Sequence, residues 1–182
     1  MNEIRKFVGV LCGLAVAGAL TVASAADLYV AKSGNDGNAG TNGAPFLTIG
    51  VAITAANAAI DGGESAMTIH VSDGTYQETK LTLAKPITIV GNIADRTAVI
   101  VQAQATAPIY GNAEAPDLHV FQLTHESAAL RFLTVRNGTS SAISGGNVNM
   151  SAGLVEDCVI SAGAVAKGLS GGARTDATFS GN

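Results

Sequence analysis

The sequence predicts an all-β fold, a chain wound into stacked coils with one helix near its start. Three observations lead there. Short runs rich in Val, Ile and Leu recur along the chain, each bounded by Gly, Asn, Asp or Pro. Comparable runs return about every 20 to 30 residues, the period of solenoid coils. Aromatic residues make up only 4% of the chain and tryptophan is absent, so the interior must be aliphatic. Thin, regularly stacked layers suit such side chains better than a thick globular centre.

The first segment, residues 1–25, reads as a signal peptide. Arg5 and Lys6 give a positive start and Phe7 to Leu20 is an apolar run too short for a comfortable membrane span. Ala23-Ser24-Ala25 is a small-x-small cleavage site, so cleavage is expected near Ala25 and the protein is expected to be secreted or held at the cell surface. The Ala-rich leader looks bacterial. Cys12 is set in a poor context for a lipid-anchoring motif, with Gly9-Val10-Leu11 before it. No membrane span is expected after cleavage.

Removal of Arg5, Lys6 and Glu3 takes the cationic residues from 10 to 8 and the acidic ones from 14 to 13, a net charge of −5. That balance argues against nucleic acid or an anionic membrane as partner. Of the two cysteines only Cys158 remains, so an internal disulfide is excluded and stability must come from packing and backbone pairing.

The second segment, residues 26–66, contains a Leu28-Tyr29-Val30 strand, a Gly-rich loop and the one convincing helix. After Pro45, residues Ile49, Ala52, Ile53, Ala56 and Ile60 share a helical face, and Asp61-Gly62-Gly63 ends it. The third segment, residues 67–182, carries the coils. Strands are predicted at Met67 to Val71, Ile87 to Val90, Ala98 to Val101, His119 to Leu123, Leu130 to Val135 and Leu154 to Ile160. The clearest repeat pairs "LRFLTVRNG" with "GLVEDCVISAG", aligning Leu133 and Val135 with Cys158 and Ile160. On that alignment Cys158 is a small buried side chain rather than a nucleophile. The tail from Gly163, with Ala177-Thr178-Phe179 hinting at another strand, reads as the start of further coils and suggests a truncated solenoid.

In order, "LYVAKSGNDGNAGTNGAPFLTIGVAI", "MTIHVSDGTYQET", "PITIVGN" and "LRFLTVRNG" resemble the opening of secreted right-handed parallel β-helix proteins of the pectin-lyase-like superfamily. More narrowly, they resemble the domain of unknown function that begins many bacterial members. The shared pattern falls on Tyr29-Val30, Ser33, Gly34, Asp36, Gly40-Thr41, Pro45-Phe46, Thr48-Ile49 and Gly74-Thr75-Tyr76. The resemblance implies a right-handed parallel β-helix whose first coil is closed by the helix, since an open solenoid end exposes unpaired backbone and an apolar cross-section.

Candidate chemistry is sparse. Asp36, with Asn35 and Asn38, is the one candidate for a Ca2+ ligand, but a single carboxylate without a bidentate Glu reads better as a structural turn. Lyase chemistry on a uronate needs clustered carboxylates holding Ca2+ and an Arg or Lys base. The nearest set is Glu156 and Asp157 with Arg131 and Arg136 about one coil away. Neighbours on a strand face opposite ways, so Glu156 and Asp157 share a site only if the chain turns there. Paired carboxylates for glycoside hydrolysis are not visible. His70, His119 and His125 lie in no metal-ligand spacing, and His70 alternates outward. Asn137-Gly138-Thr139 and Asn149-Met150-Ser151 match a glycosylation pattern but read as turn residues.

Three functions are compatible with this reading. The first is an exported, non-catalytic scaffold of adhesin-like character, partnered by extracellular polysaccharide or cell-surface components and needing no cofactor. The second is the N-terminal part of a polysaccharide lyase whose catalytic coils lie beyond this chain. The third is a carbohydrate-binding module.

Overall fold

The computed structural model describes residues 26–103, 119–138, 140–141, 144–161 and 178–180. The expected signal peptide, with Arg5, Lys6 and Cys12, lies outside the described residues, as do Thr139 and most of the tail.

Alternation of apolar and polar residues decides how each strand is used. In β2 (Met67–Val71) Met67, Ile69 and Val71 are buried while Thr68 and His70 face outward. The chain runs β1 (Ala26–Val30), α1 (Ile49–Asp61), β2, β3 (Gly74–Gln77), β4 (Leu81–Leu83), β5 (Ile87–Val90), β6 (Val99–Gln102) and β7 (Phe121–Leu123). It continues through β8 (Ala129–Arg131), β9 (Thr134–Arg136), β10 (Ser140–Ser141), β11 (Ser144–Gly145), β12 (Val148–Met150), β13 (Leu154–Glu156), β14 (Val159–Ser161) and β15 (Thr178–Ser180).

Pairing sorts these strands into three parallel sheets, ordered β1-β2-β5-β8-β13, β3-β6-β9-β14-β15 and β4-β7-β12, plus the short antiparallel β10-β11 pair. The complete rungs contribute one strand to each sheet in turn, as in β2-β3-β4 followed by β5-β6-β7. The fold is therefore a parallel β-solenoid with a single helix among the described residues, as the sequence predicts.

Register stacks like upon like. Leu28, Ile69, Ile89, Leu130 and Val155 form one inward column. Tyr76, Val101, Val135 and Ile160 form the second, and Leu83, Leu123 and Met150 lie on the third face. Of these twelve interior positions, Ile69, Ile89, Leu130, Val155, Val101, Val135, Leu83 and Leu123 have no exposed surface at all. Burying each such side chain contributes about 1.5–3 kcal/mol. Cys158 is also wholly buried, at the corner after β13.

Insertions enter the corners and leave the sheets in register. Met67 pairs with Ile87, Thr88 with Ala129 and Ala129 with Leu154, so unequal lengths of chain return to the same face.

Two predicted strands, Leu130 to Val135 and Leu154 to Ile160, are each two strands meeting at a corner. Phe132 and Asp157, with φ of 56° and 50°, make the bend. They occupy the same place in successive rungs, since Arg131 pairs with Glu156 just before them. A left-handed non-glycine residue costs about 1–2 kcal/mol, which the flanking inward side chains offset.

The helix covers the first rung. Ile49, Ala52, Ile53 and Ala56 are buried, Ile60 packs against the core, and α1 contacts β1, β2 and β4. Thr48 caps its start by accepting from the Val51 N–H, and Gly62 closes it by donating to the Ala58 carbonyl at 3.0 Å. Near its C-terminal end Lys85 Nζ bonds the Asn57 carbonyl at 3.2 Å and pairs with Asp61, placing a cation where the helix dipole is negative.

The loop before the helix does more than connect. Tyr29 donates to the Gly40 carbonyl at 2.8 Å and accepts from the Phe46 N–H at 2.9 Å, while Ala31 donates to the Phe46 carbonyl. The loop thus pairs with the edge of β1 that β2 leaves open. Gly40 makes the turn with φ of +73°, where an added Cβ would lie 2.2 Å from the Phe46 ring.

Candidate functional site

Two places gather polar chemistry: the outward face of the first sheet and the capped end of the solenoid. Because strands stack in register, outward residues also form columns. Tyr29, His70, Val90, Arg131 and Glu156 make one. Tyr29 and His70 stack with ring centroids 5.0 Å apart and 20° between planes, and His70 Nε2 lies 3.3 Å from Asp27 Oδ1. Further along, Arg131 faces Glu156 at 3.0 Å, both partly exposed. That contact is an ion pair without hydrogen-bond alignment, since Glu156 Oε2 accepts no hydrogen bond. Such a pair contributes little to stability, but it engages both charges.

The four residues considered for lyase chemistry do not converge. Arg131 and Glu156 point out from the first sheet. Arg136 belongs to the second sheet, where its Nε donates to Gln102 Oε1 at 2.7 Å. Asp157 stands at the corner between the two sheets, 3.9 Å from Arg96. The chain does turn at Asp157, yet the turn carries its carboxylate toward Arg96 and not to the Arg131–Glu156 pair. Among the described residues no group of three or more His, Cys, Asp or Glu side chains could hold a metal ion.

At the capped end, two carboxylates serve the helix start. Asp36 Oδ1 accepts from the Leu47 and Thr48 N–H groups, both at 2.9 Å, and from the Thr48 hydroxyl at 3.1 Å. Asp36 is therefore a backbone ligand that fixes the loop onto the helix. Glu78, just beyond β3, accepts from the Ile49 N–H through Oε1 and the Gly50 N–H through Oε2, both at 2.8 Å. Glu78 thereby ties the first full rung to the lid, a bond between residues far apart in sequence. Burial pushes the Glu78 carboxyl above its ordinary range, and the charge of Asp36 adds to this. The two N–H donors and Lys32 oppose the rise and are outweighed. Glu78 helps line a depression of about 220 Å³ that also includes Lys32, Leu47, Thr48, Thr75 and Tyr76.

Sequence reasoning missed Glu78 and Asn147. Asn147 is 5% exposed, accepts the Gly138 N–H through Oδ1 at 2.8 Å and donates through Nδ2 to the Ser161 carbonyl at 3.0 Å. Neither position follows a local pattern; both roles exist only once rungs are stacked.

Register-stacked columns, an aliphatic interior and a helix tied over one end define a lidded parallel β-solenoid. The chain belongs to the family described as protein of unknown function (DUF1565), whose model matches residues 32–181. No curated protein and no solved structure matches it.

Proposed function

We propose that this chain is an exported scaffold of the pectin-lyase-like superfamily that binds or displays at the cell surface and is not itself catalytic. One observation carries the reading. Arg131, the cation best placed to act as a base on a uronate, stands 3.0 Å from Glu156 in the register-opposite position of the next rung. An arginine so engaged has its charge partly neutralised, and among the described residues no carboxylate cluster stands beside it for calcium to bridge to substrate. The leader sequence supports export, and the partner expected is an extracellular polysaccharide or another cell-surface component.

The test is incubation of the purified chain with pectate and related polyuronates with and without Ca2+, following unsaturated products by their absorbance, alongside sedimentation with the insoluble polymers. Retention on a polymer without product release is the expected result. Calcium-dependent release of unsaturated products would overturn the proposal in favour of a lyase.

A further inference from the structure

Five Asn-Gly or Asp-Gly pairs occur among the described residues: Asp36-Gly37, Asn42-Gly43, Asp61-Gly62, Asp73-Gly74 and Asn137-Gly138. Such pairs are chemically labile when the glycine nitrogen is free to attack the preceding side-chain carbonyl carbon. Glycine permits this because it brings no side chain to block the approach and imposes little on the backbone.

In four of the five the glycine N–H is already committed. Gly37 donates to Asn35 Oδ1 at 2.8 Å and Gly138 donates to Asn147 Oδ1 at 2.8 Å. Gly62 donates to the Ala58 carbonyl at 3.0 Å and Gly74 to the Ala98 carbonyl at 2.8 Å. Gly43 is the exception: its N–H donates to no group among the described residues, while Ala44 after it donates to the Thr41 carbonyl and closes a tight turn. Asn42 and Gly43 are both exposed, and nothing lies within 4 Å of where a Gly43 Cβ would sit.

We infer that Asn42 is a site of spontaneous deamidation in the folded protein, and that Asn137, in the same dipeptide, is protected by the fold. The Gly43 nitrogen loses its proton to solvent and attacks Asn42 Cγ. A C–N bond forms as the side-chain amide nitrogen departs as ammonia, giving a succinimide. Water then opens either carbonyl, leaving aspartate or isoaspartate at position 42; the net change is consumption of one water and release of one ammonia. The isoaspartyl product lengthens the backbone within the Thr41–Ala44 turn, between Gly40 and Phe46, the residues that pair with the open edge of β1.

Tryptic cleavage separates the two asparagines, since Lys32 and Lys80 bracket Asn42 and Arg136 precedes Asn137. The experiment is timed incubation of the folded chain at mildly alkaline pH, with peptide mapping and enzymatic methylation of isoaspartate, and a parallel incubation in urea. In the folded chain isoaspartate is expected to accumulate at position 42 up to about tenfold faster than at 137, the factor that the one hydrogen bond from the Gly138 N–H to Asn147 Oδ1 can impose. In urea the two rates are expected to converge. The Gly43→Ala variant, which the open space accommodates, is expected to slow the reaction at 42 with the far-ultraviolet spectrum unchanged. An Asn42 that stays intact in the folded chain while reacting in urea, or one no faster than Asn137, would overturn the inference.

Discussion

Tyr76 heads the second inward column with 1% of its surface exposed, and its hydroxyl donates to the Ser72 carbonyl at 2.9 Å. Lys32 Nζ lies 5.0 Å from its ring centroid. Burial, followed by the charges of Glu78 and Asp73, raises its pKa from 10.0 to about 12. The folded chain therefore holds this proton more tightly than the unfolded chain does. Its contribution to stability is complete below pH 10 and is lost as the pH climbs to about 12. Denaturant melts across that window are expected to show a decline that Tyr76→Phe reduces, at the expense of the hydroxyl's hydrogen bond at all pH values. An unchanged alkaline profile in the variant would remove Tyr76 as the cause. Of the single residues, Cys158 was legible as buried because its repeat aligned it with Leu133, and burial raises its thiol to about 11. Asn147 was not legible, because a buried amide in a Gly-Gly-Asn turn is marked only by the carbonyl it reaches in the next rung.

Elements show the same division between local and stacked information. The helix was legible from its apolar spacing and its glycine stop, since both act within the segment. The strands β3, β4 and β12 were not, because Gly74 to Gln77, Leu81 to Leu83 and Val148 to Met150 are too short to stand out from turns. Phe132 hid a corner inside an apolar run, because its left-handed backbone goes against its own preference and no local pattern marks it. What fastens the lid was equally invisible: Glu78 lies 29 residues from Ile49. Replacing Glu78 with Ala leaves the Ile49 and Gly50 N–H groups without their side-chain acceptor and should cost about 1–2 kcal/mol at neutral pH. Urea unfolding checks the magnitude, and hydrogen exchange at Ile49 and Gly50 should accelerate more than exchange in β8 or β13. Equal acceleration throughout would mean that Glu78 does not act on the lid.

At the scale of the whole molecule, the period of the apolar runs and the scarcity of aromatics pointed to stacked rungs, and three parallel sheets follow from them. Candidate function was less legible because outward residues carry no packing constraint; the Arg131–Glu156 pairing became visible only when the register was known. The central claim is that successive rungs run in one direction and in one register around an aliphatic interior. Through-space proton contacts measured by NMR on the labelled chain test it most directly. The expected ladder links Ile69 to Ile89, Ile89 to Leu130 and Leu130 to Val155, with Met67 beside Ile87. Contacts running the opposite way, with Met67 beside Val90 and His70 beside Ile87, would mean antiparallel strands and contradict the solenoid.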